Sequence, residues 1–236
     1  MSDRQLALVT GAAHRLGKVF ALTLARQGFD ILLHYHRSLE AALQTQAEVE
    51  AVGRRVTLAE ADLTDPNQIQ TLLSHLDSLK VLVNSAAFMP DGNVEALTLE
   101  NWDTTLDLNL RAPFLLARES AHKMPDGGLI VNITDVGAQK AWSRYPSYTV
   151  SKAALESLTR ILARALAPKI RVNAIAPGLV LQSGIVPDKE WQRLLNRVPL
   201  KRAAQLEELA SALEFLVRNE YITGQTIVVD GGYSLV

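Results

Sequence analysis

The sequence predicts a single α/β domain, doubly wound, with a parallel seven-stranded sheet and helices on both faces. Short β-branched runs alternate with longer helical patterns along the whole chain, which implies βαβ crossovers and therefore parallel pairing. The strand-like runs are continuously apolar rather than alternating, as expected when both faces of a sheet are covered. The length of 236 residues fits one such unit. A chain of this size buries on the order of 70% of its unfolded surface and needs no disulfide or metal staple. Residues 1–236 are therefore read as one domain.

The elements follow in order. Leu6–Thr10 reads as a strand. Leu16–Gln27 reads as a helix with Val19, Phe20, Leu22 and Leu24 inside it and Gly28 as its stop. Ile31–Tyr35 is strand-like, and Leu39–Val52 is helical up to Gly53. Val56–Ala61 is a strand, and Asp65-Pro66 opens a helix, proline being well placed in a first turn. Leu79–Val83 is a strand, Leu106–Ala121 a helix and Leu129–Ile133 a strand. Tyr148–Ala167 is a long helix that stops before Pro168. Ile170–Ile175, Leu206–Arg218 and Thr226–Val229 complete the pattern as strand, helix and strand. The stretch at about 178–199 reads as irregular, and a break that long in a compact domain is usually functional, so it is expected to be a substrate loop.

Composition removes several function classes. Lys and Arg number 24 against 25 Asp and Glu, with no long basic run, which argues against a nucleic-acid binder. The absence of cysteine excludes disulfides, thiolate metal sites and a cysteine nucleophile. The five histidines show no metal spacing, and His75 and His122 read as helix-surface residues, so no metal is expected. No apolar run reaches the ~18 residues of a membrane span. The apolar stretch Leu6–Val9 that follows Met1–Arg4 is too short for a signal peptide. These observations predict a soluble, cytoplasmic protein with no membrane partner.

The first strand runs into Thr10-Gly11-Ala12-Ala13-His14-Arg15-Leu16-Gly17. Gly11 permits a tight turn, Gly17 permits close packing of helix on strand, and the helix N-terminus attracts a pyrophosphate. Arg15 stands where a middle glycine is usual. The second strand ends in His34-Tyr35-His36-Arg37-Ser38, where dinucleotide folds that prefer NAD place an acid for the ribose 2′-hydroxyl. His36, Arg37 and Ser38 instead offer a cation and donors to a 2′-phosphate, which predicts NADP(H). Tyr148 and Lys152 stand i, i+4 on one helix face, where an ammonium can stabilise a phenolate.

Together with Asn84-Ser85-Ala86-Ala87, Asn109, Asn173, Pro177-Gly178 and Asp230-Gly231-Gly232, these residues resemble the short-chain dehydrogenase/reductase family over essentially the whole chain. The resemblance implies a Rossmann-type fold and a set of roles. Tyr148 is the proton donor, Lys152 lowers its pKa and holds the nicotinamide ribose, and Asn109 supports a proton-relay water. Gly11, Leu16, Gly17, Asp62, Leu63, Asn84, Ala86, Pro177 and Gly178 line the cofactor, Asp62 near the adenine and Pro177-Gly178 against the nicotinamide. Family members that reduce ketones carry serine thirteen residues before the tyrosine; here that position is Asp135.

Asp135 and Arg15, with His34–Ser38, Tyr221-Ile222-Thr223-Gly224 and the terminal Val229–Leu235 run, resemble the pteridine reductases. In that subfamily the Asp and Tyr serve ring protonation, and the Arg reaches cofactor phosphate and pterin. Phe88 is the candidate to stack on the ring. Ala87 lies near where such reductases can have a serine, so one contact is missing. Trp191 can close over a ligand or simply pack. The expected activity is hydride transfer from NADPH to a ring carbon of a dihydropterin or dihydrofolate, with a proton to the adjacent nitrogen from Tyr148 or from water held by Asp135 and Asn109. A carbonyl or 3-oxoacyl-carrier-protein reductase is the enzyme alternative, and a non-catalytic dinucleotide sensor the alternative of another class. By family resemblance the helices Leu106–Ala121 and Ala153–Ala167 form a homotetramer interface.

Overall fold

The computed structural model describes residues 5–140, 142–182 and 186–236. Met1–Arg4 and positions 183–185 of the expected substrate loop lie outside the described residues. The seven strands are β1 (Leu6–Val9), β2 (Asp30–Tyr35), β3 (Val56–Glu60), β4 (Val81–Asn84), β5 (Gly128–Ile133), β6 (Ile170–Pro177) and β7 (Thr226–Val229). They form one parallel sheet in the order β3-β2-β1-β4-β5-β6-β7.

The period-2 alternation of a strand sends neighbouring side chains to opposite layers. In β1, Ala7 and Val9 join Phe20 and Leu24 of α1 (Arg15–Arg26) and Leu209 and Leu213 of α8 (Leu206–Arg218) on one face. Leu8, between them, joins Leu32, Leu82 and Ile130 on the other face. There it meets Ile69 and Leu73 of α3 (Pro66–Ser74), Leu116 of α5 (Ala112–Ser120) and Leu162 of α6 (Pro146–Leu166). The helix α2 (Leu39–Ala51) covers the β2–β3 edge, with Ala42 and Val49 buried. No helix among the described residues is long and apolar enough to cross a membrane.

Two regions differ from expectation. The helix expected over Leu106–Ala121 is three pieces: α4 (Leu99–Leu106), a π turn (Asp107–Arg111) and α5. Pro113 has no N–H for the helical ladder, and the ladder widens in the turn just before it. Thr98 caps α4 by accepting the Asn101 N–H at 3.1 Å. The stretch expected to be irregular at 178–199 contains α7 (Asp188–Arg197). Its apolar Trp191, Leu194 and Leu195 stand i, i+3, i+4, but none of its residues is buried, so the apolar pattern was too short to stand out.

The strand order reverses between β1 and β4, the place where doubly wound sheets open a crevice beyond their strand ends.

Candidate active site

That crevice is one cleft of about 1430 Å³. A pocket for a single drug-sized ligand is ~300–1,000 Å³, so the cleft has room for two ligands side by side.

The glycine turn forms one wall. Gly11 has φ +64°, and a Cβ there would lie 2.9 Å from the Ala86 Cα. A Cβ on Gly17 would lie 2.1 Å from the Gly11 carbonyl oxygen. Both positions therefore require glycine, for the turn and for the approach of α1 to it. Thr10 ties the turn to the segment after β4, its Oγ1 accepting from Ser85 N–H (2.9 Å) and Ala86 N–H (3.0 Å). Arg15 holds φ +54°, a left-handed conformation unusual for a side chain of its size. Its guanidinium donates to the Leu181 carbonyl at 3.1 Å, reaching across the cleft to the segment after β6.

The sequence reading gave His34 no role of its own. The buried ring accepts the Gly11 N–H at Nδ1 (3.1 Å) and so donates from Nε2 to the Ala61 carbonyl (3.0 Å). Burial pushes its pKa down from 6.5 to about 4, so the imidazole is neutral and its tautomer is fixed. It braces the glycine turn against the end of β3.

His36, Arg37 and Ser38 line the cleft beyond it, with Asp62, Leu63 and Thr64 opposite. His36 Nε2 lies 3.8 Å from Asp62 Oδ2. Burial opposes ionisation of Asp62, but bonds from Thr64 and the nearby His36 and Arg37 outweigh it and hold the carboxyl below its usual range. Ser38 stands at the start of α2 without using its hydroxyl as a cap. Ala86, Phe88, Pro177 and Gly178 also line the cleft, as do Leu16 and Gly17. Gly178 is pressed against the terminal segment, where a Cβ would lie 2.7 Å from Asp230 Cβ.

Asn84, expected at the cofactor, uses its side-chain amide in a tie between sheet and helix. Its buried amide donates to Asn132 Oδ1 at 2.8 Å, and Asn132 donates to Thr159 Oγ1 at 2.9 Å. The chain ties β4 and β5 to α6. The strand's last side chain points sideways into this network, as the alternation along β4 requires.

Asn109 sits in the π turn, fully buried. Its Oδ1 accepts the Phe88 N–H (2.8 Å), and its Nδ2 donates to the Phe88 carbonyl (2.9 Å) and to Ser151 Oγ (3.0 Å). One side chain thus holds both backbone groups of Phe88, the residue expected to stack on a ring.

Asp135 caps the short 3₁₀ turn Val136–Gln139, Oδ1 accepting the Gly137 N–H at 2.7 Å. Its Oδ2 accepts the Tyr148 hydroxyl at 2.9 Å. Burial pushes the Asp135 pKa up to about 6, against the opposing bonds from Gly137 and Tyr148 and the charge of Lys152. Burial, then the charge and hydrogen bond of Asp135, raise the Tyr148 phenol well above 10.

The net direction for the phenol is upward, although Lys152 is expected to lower its pKa. The Lys152 ammonium donates to the Ile133 carbonyl at 2.7 Å and lies 5.5 Å from the tyrosine ring centroid. The carboxylate in direct contact outweighs it. Lys152 itself is pushed down to about 8 by burial, with Asp135 pulling the other way.

Trp142, Tyr145 and Tyr233 complete the far wall, with Trp191 and Leu194 contributed by α7. The Trp142 ring lies 6.5 Å from that of Tyr145 and 6.4 Å from that of Tyr233. Arg144 bridges the rim, bidentate to Asp91 (2.6 and 2.9 Å) and 3.5 Å from Glu190 of α7. Among the described residues no group of His, Asp and Glu is arranged to hold a metal ion.

A family model described as enoyl-(acyl carrier protein) reductase matches residues 11–234. The chain belongs to the short-chain dehydrogenase/reductase family. A 3-oxoacyl-[acyl-carrier-protein] reductase from Synechocystis is 35% identical over 239 residues, covering 97% of this chain and 96% of that protein. The crystal structure of FolM alternative dihydrofolate reductase 1 from Brucella canis, complexed with NADP, is 36% identical with a TM-score of 0.91, covering 98% of this chain and 94% of that one. The Brucella suis counterpart, also with NADP, is 35% identical with a TM-score of 0.92, covering 100% and 97%. As a family member the chain is an oxidoreductase of Rossmann type, and the doubly wound parallel sheet agrees with the sequence reading.

Proposed function

We propose that this protein is an NADPH-dependent reductase of a pterin-like ring, taking a dihydropterin or dihydrofolate to the tetrahydro level. The observation that carries the reading is the Asp135–Tyr148 hydrogen bond at 2.9 Å, in an enclosure that lifts the Asp135 pKa to about 6. A carboxyl that titrates near neutrality can donate a proton to a ring nitrogen and accept a bond from an amino group. A ketone offers only an acceptor oxygen, which an ionised Asp135 would repel. The NADP-bound Brucella reductases support the same reading.

The cleft fits the cofactor. A Cβ at Gly11 or Gly17 would fill the cradle, and the end of β2 presents His36, Arg37 and Ser38 in place of an acid. Arg37 and Ser38 would hold the 2′-phosphate, Asp62 and Leu63 would flank the adenine, and Lys152 would hold the nicotinamide ribose. Gly11, Arg15, Leu16, Gly17 and Ala86 would line the phosphates, and Pro177 and Gly178 the nicotinamide. When bound, NADPH supplies a hydride for a ring carbon.

The chain's own residues do the rest. Phe88, fixed by Asn109, offers a flat face for the ring, and Arg15 closes the opposite side through Leu181. Protonated Asp135 gives its proton to the nitrogen beside the reduced carbon. Tyr148 keeps its own proton, because its pKa is raised, and donates the bond that orients Asp135. The described residues of the 178–199 segment, with α7, form the substrate wall. Exposed Phe114 on α5 and Val150 and Ile161 on α6 support a homotetramer joined through those helices.

A second reading, an NADPH-dependent 3-oxoacyl-carrier-protein reductase, is favoured by the Synechocystis relative. The test is a panel of dihydropterins, dihydrofolate, 3-oxoacyl thioesters and simple ketones, followed by loss of NADPH absorbance. Turnover confined to the thioesters and ketones would replace the first reading with the second, and no turnover at all would favour a dinucleotide sensor.

A further inference from the structure

The cations around the cleft fall into two groups. Arg144 is neutralised by Asp91 and Glu190, and outside the cleft Arg202 is held bidentate by Glu208 at 2.8 and 2.6 Å. Arg197 is different. It stands in the last turn of α7, is exposed, and lines the cleft. Among the described residues no carboxylate or carbonyl pairs with its guanidinium.

A second cation faces the same space. Lys140, just beyond the 3₁₀ turn that Asp135 caps, donates to the Tyr233 carbonyl at 2.8 Å and to a terminal oxygen of Val236, the last residue of the sequence, and its ammonium sits 4.5 Å from the Tyr233 ring centroid. The two cations repel: after burial, the charge of Arg197 is the largest influence lowering the Lys140 pKa. Asp230 also faces Lys140, but both of its oxygens accept backbone N–H bonds, from Gly232 (2.8 Å) and Ser234 (2.7 Å).

The pair also has a defined position relative to the reacting groups. Tyr233 is buried, lines the same cleft as Asp135, Arg197 and Lys140, and carries the Lys140 ammonium over its ring. Trp142 packs beside it. A ligand lying along this wall would have its ring at Asp135, its middle against Trp142 and Tyr233, and its far end at Arg197 and Lys140.

We propose that Arg197, seconded by Lys140, is a specificity-determining site for an anionic tail on the substrate: the reducible ring binds at Asp135 and a carboxylate or phosphate at its far end binds the two cations. The inference rests on the pterin reading above and narrows it to pterins that carry an anion. A guanidinium that no described residue pairs, lining the same cleft as an ammonium and a buried aromatic ring, gains a charge-assisted bond from such a group. The favourable contact of a cation with the C-terminal end of α7 accounts for Arg197 alone. It does not account for a second cation held against the first.

The test compares kcat/KM at saturating NADPH for three substrates: 7,8-dihydrobiopterin, which has no anion, 7,8-dihydrofolate, which has carboxylates, and 7,8-dihydroneopterin monophosphate. The wild-type protein should favour at least one anionic substrate over dihydrobiopterin by about tenfold or more, and the preference should shrink as ionic strength rises. Preference for dihydrofolate alone or for the phosphate alone identifies the source of the anion. Arg197→Met should reduce the anionic-to-neutral ratio by about tenfold, chiefly through KM, and Arg197→Lys should restore part of it. Equal rates for all three substrates in the wild type, or an unchanged ratio in Arg197→Met, would overturn the inference while leaving pterin reduction intact. Failure to reduce any of the three overturns the pterin reading and this inference with it.

Discussion

Asp135→Ser separates the two enzyme readings, and its size can be worked from the structure. The substitution removes the Oδ2 contact with the Tyr148 hydroxyl and the Oδ1 cap on Gly137. With a pKa of about 6, roughly 10% of Asp135 carries a proton at pH 7, against less than about 0.1% for an ordinary aspartic acid at 3.8. Loss of that acid should cost at least the low end of general acid catalysis, ~10²-fold, with a floor of tenfold, about 1.4 kcal/mol, if Tyr148 takes over. Takeover has a structural basis. Two of the three causes that raise the phenol are Asp135's charge and hydrogen bond, so its pKa should fall when serine replaces it. For a ketone the same change should leave the rate equal or raise it, because serine supplies a donor to the carbonyl oxygen. The assay is kcat/KM for dihydrofolate and for a 3-oxoester at saturating NADPH, so that cofactor binding does not enter the comparison, measured from pH 5 to 8.5. In the wild-type protein pterin reduction should fall about tenfold per pH unit well above 6, and in Asp135→Ser that limb should vanish. A variant that keeps pterin reduction and loses ketone reduction would refute the reasoning.

Three further outcomes are expected. Tyr148→Phe should bind NADPH normally, by fluorescence titration, and lose about tenfold or more in turnover, about 1.4 kcal/mol, because the hydroxyl that orients Asp135 is gone. Arg37→Ala should weaken NADPH by about 1.5–3 kcal/mol, the scale of a hydrogen bond to a charged group, and leave NADH nearly unchanged in isothermal titration. His34 titrates at about 4 in the folded chain against 6.5 when unfolded, so its contribution to stability is complete above pH 6.5 and is lost as pH falls toward 4. That loss amounts to about 3 kcal/mol, read as the difference in pH dependence of urea unfolding between wild type and His34→Gln.

The inner strands were legible because burial on both faces leaves continuous apolar runs, and the edge strands β3 and β7, with no buried residue, were legible from their β-branched residues and their place in the alternation. The glycine turn was legible because only glycine tolerates 2.1 Å between a Cβ position and a carbonyl oxygen. α7 was not, since a helix lying on the surface of a cleft has no core stripe to announce it. Its acids in the first turn, Asp188 and Glu190, and Arg197 in the last were the available signal. Asn84 shows the reverse case: a polar residue beside a motif suggested a ligand, and the structure spends it on a sheet-to-helix tie. His34 falls inside the strand expected over Ile31–Tyr35, but nothing in the spacing says that its buried ring takes the Gly11 N–H. The inversion of the Tyr148 pKa was beyond spacing arguments, because i, i+4 places Lys152 on the same face but does not say that Ile133 takes its ammonium.

The double grip of Asn109 on Phe88 makes the two sides of the substrate space mechanically unequal. To move the Phe88 backbone outward the molecule must break two hydrogen bonds and uncover the fully buried Asn109 side chain, which is also anchored to Ser151 and so to the tyrosine helix. The opposite side has no such anchor. α7 buries none of its residues and meets its surroundings through Leu194 on a small apolar cluster, the half-exposed Arg144–Glu190 pair and exposed bonds from Gln182 and Lys201. Few buried contacts and solvated bonds are the marks of a segment that opens locally at low free energy. The cleft therefore has two unequal jaws: the backbone of Phe88 is tied by buried hydrogen bonds to the tyrosine helix, while α7 lies on the surface with no residue of its own buried.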